Sequence, residues 1–66
     1  MATYDLFVKA PPEMIREILG NKLRGTSPVF NGWHRVTVEF TDVDDLIQIA
    51  DRLRKSGADV ASSPFF

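Results

Sequence analysis

The dipeptide Asn31-Gly32 is the feature that most constrains the fold of this chain. It lies between two stretches with alternating residue character, and a type I′ turn needs positive φ at both central positions, which Asn and Gly tolerate. We therefore predict a β-hairpin that joins a short strand over Ser27–Phe30 to a longer strand over Trp33–Thr41. Pro28 has no N–H to donate, so its strand should lie at a sheet edge.

A strand and a helix are predicted before the hairpin. Thr3–Lys9 alternates with a period of two, which is typical of a strand. Glu13–Arg24 carries an apolar stripe at helical spacing. Gly20 could end this helix at Leu19, but Leu23 continues the stripe, and we favour the longer helix.

A helix and a strand are also predicted after the hairpin. Thr41 or Asp42 caps the helix, whose first turn is acidic and whose last turn is basic, as the helix dipole favours. Gly57 is well placed as the residue that follows the helix end. A last, weakly apolar strand is expected over Ala58–Ser62.

The order of these elements predicts a single domain over residues 1–66 of the α+β class. Two right-handed crossovers joined by a hairpin give a ferredoxin-like βαββαβ sandwich: a four-stranded antiparallel sheet in the order 4-1-3-2, with two helices on one face. The alternation places these side chains beneath the helices: Leu6, Val8, Val36, Val38 and Phe40. It places these on the opposite, open face: Asp5, Phe7, Lys9, Trp33, Arg35, Thr37 and Glu39.

The stretch Leu46–Ser62 runs as a capped helix through Gly57 into a strand. In this it resembles the second half of many ferredoxin-like domains, and it is similar to ACT-type regulatory domains in particular. The resemblance covers the whole chain in architecture, but in sequence it covers only this helix-glycine-strand junction. It implies a small-ligand sensor whose ligand binds at a subunit interface.

Composition excludes several functions. The chain has no cysteine and one histidine, His34, so it cannot build a zinc cluster. A net charge of −1 gives no general attraction to nucleic acid or to anionic membranes, and no apolar run approaches the ~20 residues that span a bilayer. We interpret Asp42, Asp44 and Asp45 as capping residues, because calcium loops spread their ligands over about twelve residues.

No residue is expected to be catalytic. His34 lacks an accompanying nucleophile motif, and we interpret it as a half-buried histidine at a strand end. The sequence therefore predicts a protein that is not an enzyme and uses no cofactor or metal. A cytoplasmic location is the default expectation, because the chain starts without the basic and apolar segments of a signal peptide.

The aromatic residues indicate an interaction surface. So short a chain buries only about 60% of the surface that its unfolded form exposes, and oligomerisation is a usual remedy. Phe7 and Trp33 lie with Arg35 on the predicted open face, and these are residue types that interface cores favour. Phe65 and Phe66 either fold back over the core or pack against another chain.

We therefore expect a non-catalytic interaction or regulatory module that self-associates as a homodimer through its open sheet face or edge strands. The ACT-like small-ligand sensor is the first alternative. A single-stranded nucleic-acid binder is the second, and it is less favoured. RNA-stacking sheets carry several aromatics on their two central strands, where this chain has Arg35, Thr37 and Glu39 on its third strand.

Overall fold

The computed structural model describes residues 2–61 of the chain. Their elements are β1 (Ala2–Lys9), α1 (Pro12–Leu19), β2 (Leu23–Phe30), β3 (Trp33–Phe40), α2 (Val43–Lys55) and β4 (Asp59–Ala61), with one turn of 3₁₀ helix over Gly20–Lys22. The four strands form one antiparallel sheet in the order β2-β3-β1-β4. This is the predicted strand order read from the other edge, within an α+β fold.

The hydrophobic core lies between the two helices and one face of the sheet. Strands β1 and β3 pair along their full lengths, with Leu6 opposite Val36 and Tyr4 opposite Val38. The buried residues form one cluster: Leu6, Val8, Ile15, Leu19, Val36, Val38, Ile49, Leu53 and Ala58. Both helices contribute to it, so they cover the same face. The predicted buried face is confirmed, with Phe40 half-buried against the cluster.

The hairpin between β2 and β3 has the predicted turn. The φ angles of Asn31 and Gly32 are 51° and 83°, both positive, as a type I′ turn requires. Phe30 and Trp33 face each other across the turn. Because β2 is the outer strand of the sheet, the prediction that Pro28 lies at an edge is also confirmed.

The first helix is shorter than predicted, and the expected helix over Glu13–Arg24 was wrong. Gly20 ends the helix after Leu19, with φ at 57° and its N–H donated to the carbonyl of Arg16. Glycine adopts this φ without the steric penalty that a Cβ brings. Leu23 belongs to β2, where it pairs with Val38 and packs against the core. Its apolar character therefore reflects strand packing, and β2 begins earlier than predicted.

The second helix has the predicted signals at both ends. The side chain of Asp42 accepts a hydrogen bond from the N–H of Asp45 at 2.8 Å, so Asp42 is the N-cap. At the other end Gly57 has φ of 97°. The N–H groups of Gly57 and Ala58 are donated to the carbonyls of Arg54 and Leu53, which is the Schellman pattern. Together these bonds fix where α2 starts and where the chain turns into β4.

Replacing Gly32 with Val should lower the free energy of unfolding by about 1 kcal/mol or more, because β-branched residues resist positive φ. The matched control is Gly25→Val. Gly25 lies in β2 without positive φ, and no heavy atom lies within 4 Å of where its Cβ would be. Urea titrations of the two variants test the turn. Equal midpoints would contradict the backbone conformation at Gly32.

Truncation of Val38 or Leu53 to Ala should each cost roughly 2–4 kcal/mol of unfolding free energy, because both side chains are fully buried and leave cavities. Thr37→Ala is the control on the opposite face of the same strand. It removes an exposed hydrogen bond to Asp5, so we expect a loss of about 1 kcal/mol at most. Thermal unfolding compares the three variants. A larger loss of unfolding free energy at Thr37 would show that the buried and open faces of the sheet have been assigned the wrong way round.

Candidate interaction surface

The aromatic side chains of the sheet gather at one end of its open face. Residues directly opposite each other on antiparallel strands share a face. Phe7 is opposite Arg35, while Trp33 is opposite Lys9 on one side and Phe30 on the other. These five residues define the aromatic end of the open face. Phe7 and Trp33 are half-buried, Phe30 is 59% exposed, and both cations are exposed.

The other end of the open face is polar, and its carboxylates already have partners. Asp5 accepts a hydrogen bond from the hydroxyl of Thr37 at 2.6 Å. Glu39 lies 2.7 Å from the guanidinium of Arg24. Asp5 is therefore hydrogen-bonded, and Glu39 is paired with a cation, within the domain.

The two cations of the aromatic end have no such partners in the part of the chain that the structure describes. Within residues 2–61, neither Lys9 nor Arg35 forms a hydrogen bond or an ion pair through its side chain. Asp59 of β4 is opposite Lys9 on the same face. Among the described residues, the open face therefore presents two cations without side-chain partners beside three aromatic rings.

The structure brings three of the five predicted interface residues together. Phe7, Trp33 and Arg35 lie on the same face of neighbouring strands. Phe65 and Phe66 lie outside the described residues. Sequence reasoning missed Phe30. Its position immediately before the turn, opposite Trp33, was the signal that could have placed it on the open face.

His34 lies on the other side of the sheet, away from the aromatic end. It pairs with Val8 and Pro28 and is half-buried, as expected for a strand-end histidine. Its Nδ1 atom is buried without a hydrogen-bond partner among the described residues. Those residues also contain no group of three or more His, Asp or Glu side chains that could hold a metal ion.

A polar cleft of about 330 Å³ opens where β3 leads into α2. It is lined by Asn21, Lys22, Arg24, Glu39, Phe40, Thr41 and Asp45. Lys22 contacts Asp45 at 2.6 Å, and the N–H of Thr41 is donated to the same carboxylate at 3.0 Å. The hydrogen bond from Lys22, followed by that from Thr41, lowers the pKa of Asp45 below its ordinary 3.8. The charges of this cleft are therefore paired with one another.

No protein-family model matches this chain, and neither does any curated protein or solved structure. Within residues 2–61, neither helix has the length and apolar character needed to cross a membrane.

Asp45→Asn should destabilise the domain near neutral pH, and this loss of stability should be smaller in acid. Because the folded-state pKa of Asp45 is depressed, its stabilisation is present above 3.8 and is lost as the pH falls through the folded-state pKa. Asp44→Asn is the control, because Asp44 lies in the same helical turn and its side chain forms no ion pair among the described residues. Urea midpoints measured from about pH 6 to about pH 2.5 test the linkage. A difference between wild type and Asp45→Asn that does not vary with pH would contradict it.

Proposed function

We propose that this domain is a non-catalytic interaction module on a ferredoxin-like plait, and that it forms a homodimer through the aromatic end of its open sheet face. The observation that carries the proposal is the juxtaposition of Phe7, Trp33 and Phe30 with Arg35, whose side chain has no partner within residues 2–61. Both helices pack on the other face, so within residues 2–61 no helix covers these rings. Aromatic residues and arginine are the types that protein interfaces concentrate at their centres.

The energetics favour covering this surface. Fully burying an aromatic side chain stabilises by about 1.5–3 kcal/mol. Two or three rings on each copy therefore offset part of the rigid-body entropy that association costs. A two-fold axis uses the same patch on both copies, so a single set of residues supplies the whole interface. A guanidinium held over an aromatic ring adds a cation–π contact, which would give Arg35 a partner that it lacks among residues 2–61 of its own chain.

The size of the core supports the same conclusion. Among residues 2–61 the buried cluster contains nine residues, of which Ala58 is small. Domains of this length are marginal on their own, and a second copy is one of the few remedies open to a chain without cysteine.

Single-stranded nucleic acid is the second candidate for the same surface. Lys9 and Arg35 have no partners among the described residues and lie beside partly exposed rings, which is what phosphate contacts and base stacking need. The carboxylate of Asp59 opposite Lys9 and the net charge of −1 weigh against it. The small-ligand alternative has no comparable support, because the charges that line the polar cleft already pair with one another.

Arg35→Glu should raise the dissociation constant of the dimer at least about tenfold, because it places an unpaired carboxylate among aromatic rings. Arg16→Glu is the matched control. It makes the same change in net charge at an exposed site on α1, on the other side of the sheet. Sedimentation equilibrium at micromolar concentrations should give twice the chain mass for wild type and the control, and a shift toward monomer for Arg35→Glu.

A folded monomer at every accessible concentration would refute the homodimer. If that monomer bound single-stranded RNA at low salt, lost the binding as salt rose and lost it in Arg35→Glu, the nucleic-acid candidate would replace the dimer. An equal loss of association in Arg35→Glu and Arg16→Glu would show a non-specific effect of charge. It would also contradict the proposal that the aromatic end is the interface.

A further inference from the structure

Asp59 carries the carboxylate of the open sheet face that has no partner within residues 2–61. It is directly opposite Lys9, and the next residue, Val60, packs against the core, so the side chain of Asp59 lies on the open face. Asp59 is exposed, and its carboxylate forms no hydrogen bond or ion pair among the described residues. Within the same residues the other acids of this face, Asp5 and Glu39, both have partners.

The side chain of Lys9 leans away from Asp59. Its Cγ and Cε atoms lie 3.8 Å from the point where a Cβ on Gly32 would be. Gly32 belongs to the hairpin turn and precedes Trp33 of β3, whereas Asp59 of β4 lies on the other side of β1. Lys9 therefore extends toward the turn, which explains why it forms no ion pair with the acid directly opposite it.

Arg35 and Asp59 do not meet within one chain either. Arg35 is on β3 and Asp59 is on β4, with β1 and its residue Phe7 between them. Neighbouring strands lie about 4.8 Å apart, so the two residues are separated by roughly 10 Å across the sheet, and their offset along the strands adds to this. A two-fold axis can join such residues, because it brings each of them against the other one in the second copy.

We propose, on the basis of the homodimer proposed above, that Arg35 of each copy forms an ion pair with Asp59 of the other copy. Arg35 is level with Phe7, and Asp59 is level with Lys9. The midpoint between Arg35 and Asp59 therefore lies on β1, and a two-fold axis that crosses β1 there brings the two Phe7 rings close together. A planar guanidinium binds a carboxylate through two parallel hydrogen bonds. The ion pair forms twice in each dimer, so neither Arg35 is buried as an uncompensated charge.

A charge swap tests this pair. Arg35→Glu and Asp59→Arg should each raise the dissociation constant of the dimer at least about tenfold, and the variant with both changes should associate at least about tenfold more tightly than either single variant. The matched control combines Arg35→Glu with Glu17→Arg, at an exposed site on α1 that forms no ion pair among the described residues. The control has the same net charge as the swapped variant, but it should associate as weakly as Arg35→Glu. Sedimentation equilibrium measures the dissociation constants, and urea midpoints show that each variant is folded.

Disulfide cross-linking is a second readout, and it reports the geometry of the dimer directly. The chain has no cysteine, so substituted thiols are the only ones present. An equimolar mixture of Arg35→Cys and Asp59→Cys chains, oxidised with diamide, should give mostly the disulfide between the two different chains. That dimer sets the two thiols opposite each other and keeps one ion pair between Arg35 and Asp59. Mass spectrometry distinguishes it from the two products that join identical chains.

The outcomes separate the ion pair from the homodimer on which it depends. If wild type is dimeric, a swapped variant that associates no more tightly than the control would overturn the ion pair and leave the homodimer standing. Cross-links that form mostly between identical chains would do the same. A wild type that is monomeric at every accessible concentration would refute the homodimer, and the ion pair with it.

Discussion

The pairing of β1 with β3 is the contact on which the other features of this domain depend. These two strands are joined only through α1 and β2, and they meet along eight residue pairs in one register. That register puts Leu6 and Val36 under the helices and puts Phe7 and Arg35 on the other side. A slip of one residue would exchange the two faces and would expose the core. The core and the aromatic end are therefore consequences of the same alignment.

Local signals predicted the parts of the fold that depend on neighbouring residues. The turn at Asn31-Gly32 and the cap at Asp42 each depend on residues that lie within four positions of one another in the sequence. The strand order followed from these elements and from the rules for connecting them. Alternation also separated the buried face from the open face correctly, since a strand with one buried side has period two.

The features that the sequence did not predict depend on contacts between distant residues. Leu23 fits the stripe of a helix and the inner face of a strand equally well, and only its pairing with Val38 decides between them. The contact between Lys22 and Asp45 spans 23 positions and exists because α1 ends early. Likewise, nothing in the sequence indicated that Glu39 would be paired while Arg35 would have no partner among residues 2–61.

The outer strand β2 has a consequence for how copies of this domain can meet. Its ladder with β3 is interrupted twice, between Leu23 and Gly25 and again between Pro28 and Phe30. Pro28 also lacks the N–H that an added strand would need. Such breaks bend an edge and make it a poor template for further strands. Open-ended, fibre-like growth from this side of the sheet is therefore disfavoured, even though Phe30 on the same strand is 59% exposed.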